Sequence, residues 1–172
     1  MSVILLADDS PHARRMGQRI LAGEGHQVVC VADGESAALR LPEVDPDIII
    51  ADAHLPGLSG IELCRFMKAN WRHVRVILTA GSLEALDEEA ARNAGCDAIL
   101  RKPFEASVVM RVVGPLALEA QQARRTGGTA APLAPADLPE ADVRAAVERA
   151  IERELPRLLD ELTQKVLTAL GH

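Results

Sequence analysis

The chain has no tyrosine, one tryptophan and two phenylalanines among its 172 residues. Its core must therefore be packed by Leu, Ile, Val and Ala. Few aromatic faces are left for stacking on bases or sugars, which disfavours single-stranded nucleic-acid binding. An excess of positive charge is missing as well. With a formal net charge of −6, the chain is not built to collect phosphate backbones by counterion release, although a local acidic pocket can hold a cation. Cysteine is scarce and odd in number. Cys30, Cys64 and Cys96 lie far apart, without CxxC or metal-ligand spacing, and read as buried thiols in a reducing compartment. No stretch approaches the roughly 20 apolar residues of a membrane span. Asp8 and Asp9 interrupt the early apolar run Val3 to Ala7, which argues against a secretory leader. These absences predict a cytoplasmic chain without a membrane span.

What is present is aliphatic and regularly spaced. Hydrophobic residues make up 48% of the sequence, enough for a real core. Five short apolar runs, Val3 to Ala7, Gln27 to Val31, Asp47 to Ala51, Val74 to Leu78 and Ala98 to Arg101, fit strands, the first buried on both faces as in a parallel sheet. Helical segments alternate with them. Ser10-Pro11 supplies a cap and a first-turn proline for a helix to about Ala22. Asp33-Gly34 opens a helix ending near Leu41-Pro42, and another begins near Ser59. A polar helix is expected over Leu83 to Asn93, with Gly95 as its stop, and a last one from Phe104 towards Ala120. Five strand–helix alternations predict an α/β fold, a doubly wound five-stranded parallel sheet with helices on both faces.

The polar residues cluster at strand ends. Asp8 and Asp9 follow the first strand, Asp52 ends the third, Thr79 the fourth and Lys102 the fifth. In an open parallel sheet the ligand crevice lies beyond the carboxyl ends of the strands, at the switch point of strand order, so the five groups should converge. Their chemistry is complementary. Crowded carboxylates favour a hard divalent cation with oxygen ligands. A carboxylate can attack phosphorus to give an acyl phosphate, and a cation, an ammonium and a hydroxyl stabilise the charge on the transferred group.

The motifs Asp8-Asp9-Ser10, Asp52 followed by Leu55-Pro56-Gly57, Thr79-Ala80 and Lys102-Pro103-Phe104 resemble the response-regulator receiver family of bacterial two-component signalling, over residues 3 to about 120. The resemblance implies a flavodoxin-like fold with strand order 2-1-3-4-5. It implies Asp52 as phospho-acceptor, Mg2+ held by Asp9 directly and Asp8 through water, with Asp52 and the backbone carbonyl of His54 as further ligands. Thr79 and Lys102 would contact the phosphoryl oxygens. The partner would be a histidine kinase or phosphotransfer protein, and the chain would catalyse only its own phosphoryl acceptance and slow autodephosphorylation rather than turn over a substrate. One position departs from the family: three residues before the lysine, where Tyr or Phe is common, stands Ile99.

Several residues have plainer readings. The His54 side chain is expected to face solvent at the edge of the site. His12, His26, His73 and His172 are read as surface residues, Trp71 as packing on the sheet, and Arg14-Arg15 and Arg124-Arg125 as solvated pairs. A hydrolase with an aspartyl nucleophile of the haloacid-dehalogenase type would need a second Asp where His54 stands, and a cap domain to enclose its substrate, which is not read in this sequence.

The expected organisation is a receiver domain over 1–122, an Ala/Pro/Gly-rich linker over 123–139, and an amphipathic helical segment over 140–172. In that segment Val143, Val147, Ile151 and Leu155, then Leu158, Leu159, Leu162, Val166 and Leu170, form an apolar stripe interrupted at Pro156. Such a stripe cannot bury itself alone, so residues 140–170 are assigned to self-association or a partner protein. Their mixed charge argues against direct DNA contact and against a membrane surface. The functional expectation is a response regulator that signals by protein contact. The alternative is a receiver-fold interaction or scaffold module, assembled by its C-terminal helix with little dependence on phosphate.

Overall fold

The computed structural model describes residues 1–126. The amphipathic segment expected at 140–172, and its proposed interface at 140–170, lie outside the described residues, as does the linker beyond residue 126. Ten elements alternate: β1 (Val3–Ala7), α1 (Pro11–Gly23), β2 (Gln27–Val31), α2 (Gly34–Val44), β3 (Ile48–Asp52), α3 (Gly60–Asn70), β4 (Arg75–Gly81), α4 (Glu88–Asn93), β5 (Ala98–Lys102) and α5 (Ala106–Thr126). The strands form one parallel sheet in the order β2-β1-β3-β4-β5, as expected.

The sheet is apolar on both faces because successive side chains alternate sides. Leu5, Ala7, Ile49, Ala51, Val76 and Leu78 pack with Leu41, Leu63, Met67, Trp71 and Ala91 on the face covered by α2, α3 and α4. Ile4, Leu6, Ile48, Ile50, Ile77 and Leu100 pack with Leu21, Val109, Val113 and Ala117 on the face covered by α1 and α5. Each fully buried aliphatic side chain contributes about 1.5–3 kcal/mol, so β3, buried along its whole length, is anchored from both sides. Trp71 is buried against Phe66, with ring centroids 5.6 Å apart.

The helix starts follow their caps. Ser10, Asp33, Ser59 and Asp87 each accept a backbone N–H of the first turn, and Ser59 with Glu62 forms a reciprocal capping box. Several expectations about local structure need correction. First, α2 runs past Pro42 to Val44, since proline in the last turn removes only one intrahelical bond. Second, the helix expected from Leu83 begins at Glu88. The residues before it are committed elsewhere: the Glu84 carboxylate accepts the Gly81 N–H, and the Glu84 carbonyl accepts from Arg101. Third, α5 extends through residues 123–126, where Arg124 bonds the Asp45 carboxylate and the Pro46 carbonyl and lies 2.8 Å from Asp47 Oδ1. Arg124 is thus an anchor rather than half of a solvated pair. Fourth, only Cys64 of the three free thiols is buried, while Cys30 and Cys96 are half-buried.

His26 and His73 are half-buried rather than on the surface. Burial lowers the proton affinity of both below the ordinary 6.5. The neighbouring Arg124 charge adds to the effect at His73, while Asp45 and Asp47 oppose it. The folded state therefore binds these protons less readily than the unfolded chain, and their contribution to stability, present above pH 6.5, is lost as pH falls below it. His73→Gln should flatten that acid-side loss, read from urea midpoints by circular dichroism between pH 7.5 and 5; an unchanged slope would exclude His73 as its source.

α3 starts where a side chain has no room. A Cβ on Gly60 would lie 2.2 Å from the Asp52 carbonyl oxygen. Gly60→Ala should destabilise the receiver by about 1–3 kcal/mol, measured by urea unfolding of the full chain through Trp71 fluorescence. An unshifted midpoint would mean that the backbone beside Asp52 yields freely.

Candidate functional site

Four strand ends build the site. At the end of β1, Asp8 is held on three sides. Its N–H donates to the Val31 carbonyl, its Oδ1 accepts the Ser10 N–H at 2.9 Å, and its own carbonyl accepts from Arg14. Its side chain is almost fully buried, whereas Asp9 is exposed. Asp52 closes β3 with Thr79 directly beside it in register on β4, and both are buried. The His54 N–H donates to Asp52 Oδ1 at 2.7 Å. Ala53 donates its N–H to the Thr79 carbonyl, which continues the β3–β4 pairing one residue beyond the acid.

Lys102 comes from the edge strand β5, opposite Gly81 of β4, and the Lys102–Pro103 peptide is cis. Its ammonium lies 2.6 Å from Asp8 Oδ2 and also pairs with Asp52 Oδ2. Burial alone would pull its proton affinity down. The hydrogen bonds and charges of Asp52 and Asp8 more than offset this, and the net shift is upward from 10.5.

The expected residues therefore come together. Ligand atoms of Asp8, Asp9 and Asp52 lie within 4.8 Å of one another, with Thr79 and Lys102 adjacent. At that separation each pair of carboxylate charges repels by about 3–4 kcal/mol at an effective dielectric constant of about 20. Lys102 supplies a single positive charge against the three. An all-oxygen set with this residual negative charge fits a hard divalent cation such as Mg2+.

The His54 side chain is half-exposed at the rim. Its Nδ1 lies 3.9 Å from Asp52 Oδ1 and 3.7 Å from Glu84 Oε2. Glu84 was not singled out in the sequence. Its place in an expected helix hid it, and the only signal was an acid five residues after Thr79 in a strand-end loop. Ile99 is half-buried, faces Leu78 in register, and packs against the core shared with α3 and α4.

Residues 4–113 match the family model of the response regulator receiver domain. The chain is 31% identical over 102 residues to the DNA-binding response regulator MtrA of Mycolicibacterium smegmatis, a match covering 59% of this chain and 44% of that protein. It is 32% identical over 123 residues to the sensory/regulatory protein RpfC of Xanthomonas campestris, covering 69% of this chain and 17% of that one. The chain thus spans less than half the length of these relatives. Among solved structures, it resembles the receiver domain of a Pseudomonas aeruginosa sensor histidine kinase, which has a magnesium ion in its active-site cleft, at 29% identity and a TM-score of 0.62 over 67% of this chain and 97% of that one. A response regulator of Chloroflexus aurantiacus has the same identity and TM-score, with 67% and 98% covered. No helix among the described residues is long and apolar enough to cross a membrane. With sheet order, acidic cluster and sequence in agreement, the chain belongs to the response-regulator receiver family of two-component signalling.

Proposed function

We propose that Asp52 accepts a phosphoryl group from the phosphohistidine of a partner kinase or phosphotransfer protein. The observation that supports this most is the pairing of Lys102 with both Asp8 and Asp52 inside a buried carboxylate cluster. An Asp52 oxygen forms the new bond to phosphorus as the nitrogen–phosphorus bond of the donor breaks, and the electron pair returns to the donor imidazole. The His54 N–H orients the acceptor carboxylate. Lys102, released from part of its pairing, meets the charge spread over the transferred oxygens, and the Thr79 hydroxyl donates to one of them. Asp8, Asp9, Asp52 and the His54 carbonyl would hold Mg2+, which when bound supplies charge neutralisation at the same oxygens.

Output falls to protein contacts. The net charge of −6 disfavours DNA, and the likeness to the DNA-binding relative is confined to 102 residues of it. The domain division proposed is a receiver followed by a linker and a segment, 140–170, that meets a second copy or a partner. The cytoplasm is the compartment consistent with free thiols and a kinase partner. Ile99 favours a second reading, an interaction module little affected by phosphate, since an aliphatic side chain packed on the core offers no ring to reorient.

Asp52→Asn should abolish incorporation of label from an acyl phosphate donor in Mg2+, while the wild type incorporates one phosphoryl group per chain, measured by intact mass. Label retained in the variant would move the acceptor elsewhere.

Lys102 also makes a prediction about pH. Its folded-state proton affinity is raised, so its ion pairs stabilise the fold fully below about pH 10.5 and are lost as pH rises through the higher folded value. The difference in urea midpoint between wild type and Lys102→Met should shrink steadily above pH 10.5. A difference constant from pH 8 to 12 would show that the ammonium contributes no charge-dependent stability.

A further inference from the structure

The two carboxylate oxygens of Asp52 have different partners. Oδ2 pairs with Lys102. Oδ1 accepts the His54 N–H at 2.7 Å and lies 3.9 Å from the Nδ1 of the same residue. Glu84 Oε2 is 3.7 Å from the same Nδ1 and accepts the Gly81 N–H at 2.5 Å. Two clusters of three ligating side chains occur among the described residues, and Asp52, His54 and Glu84 form the one that contains an imidazole.

We propose that Asp52, His54 and Glu84 form a second cation site, for a divalent transition ion of the zinc type, whose occupation blocks phosphoryl acceptance. The donor set is one imidazole nitrogen and two carboxylate oxygens. Imidazole selects zinc-like ions over Mg2+, which prefers oxygen and near-octahedral geometry. The spacing agrees. Ligands about 2.0–2.1 Å from a tetrahedral centre stand roughly 3.4 Å apart, and closing the 3.7 and 3.9 Å separations to that value needs shifts of a few tenths of an ångström. Both carboxylates are already oriented by backbone N–H donors, which spend one acceptor position on the oxygen and leave others for a metal. His54 and Glu84 are each about half-exposed, with side-chain exposures of 51% and 54%, so an ion has a direct approach and a fourth ligand can be water.

The consequence for signalling is competition. An ion held between Asp52 Oδ1, His54 and Glu84 places a ligated centre at the mouth of the site, where the phosphoryl donor must approach. Mg2+ held by the acids of the crevice does not stand in that approach, so the block comes from the position of the ion and not from ligation of Asp52 as such. This consequence rests on the reading of Asp52 as acceptor; the metal site does not.

The test is isothermal titration of the full chain with Zn2+ in saturating Mg2+, paired with labelling by an acyl phosphate donor. The expected result is one Zn2+ per chain, weakened tenfold or more by His54→Ala and by Glu84→Gln. Zn2+ should slow labelling at least tenfold in the wild type. In Glu84→Gln it should have little effect, and without Zn2+ that variant should be labelled at the wild-type rate. Absence of Zn2+ uptake, or uptake unaffected by both substitutions, overturns the site. Zn2+ uptake that responds to the substitutions but leaves labelling unimpaired overturns the block. If the wild type takes no label even without Zn2+, the acceptor reading fails, and the titration still decides the metal site.

Discussion

Three carboxylates are brought within 4.8 Å of one another, and Lys102 makes that arrangement bearable. Two of the acids are buried, so water cannot screen them, and each charge pair repels by a few kcal/mol even at a generous dielectric constant. One ammonium bridging Asp8 and Asp52 relieves part of the repulsion and leaves a net negative pocket. A buried ion cluster of this kind is a poor source of stability, because desolvation offsets most of the attraction. Apolar residues of the same volume would hold the fold at least as well. What the cluster offers instead is a charge-dense set of oxygen ligands at the strand ends.

The fold tolerates that cost because its stability comes from elsewhere. The central strands carry aliphatic side chains on both faces and feed two separate cores. The acids sit where the strands end and the cores stop. Asp8 and Asp52 are each the first polar residue after, or at the end of, an apolar run. The backbone fixes them there: Asp8 through Ser10 and Val31, Asp52 through His54. Gly60 lets α3 pass the Asp52 carbonyl at a distance that no side chain permits. Position and charge are thus set by different parts of the chain, and the site can be tuned without disturbing the cores.

The sheet and the acidic constellation were legible in the sequence because each rests on a local pattern. Short apolar runs mark the strands, and a polar residue at the end of four of them marks the crevice. What could not be read depends on contacts between distant segments. The later start of the helix before Asn93, at Glu88 and not Leu83, follows from Glu84 bonding Gly81 and Arg101, a choice that helical periodicity does not encode. The half-burial of His73 and the anchoring by Arg124 both depend on α5 crossing the loop between α2 and β3. Nothing in the spacing of those residues announces it. Glu84 was missed for the same reason: it looked like one acid on a polar helix face.

These contacts also bear on how a charge change at Asp52 would be felt. A ligand shifts a conformational equilibrium only through interactions that differ between the two states. Ile99 packs on the core with no polar group to gain or lose a partner. The segment from Ser82 to Ala85 differs: it is exposed, Leu83 almost completely so, and it is tied down chiefly by the polar contacts of Glu84 with Gly81, His54 and Arg101. A segment held by a few solvent-accessible polar contacts sits at the low-stability end of a structure. Of the elements around the site, it has the least apolar burial to lose when rearranging, and its contacts begin one residue pair from Asp52. In a chain without an aromatic at position 99, Glu84 and Arg101 are the polar contacts that join the loop beside Asp52 to α4 and β5.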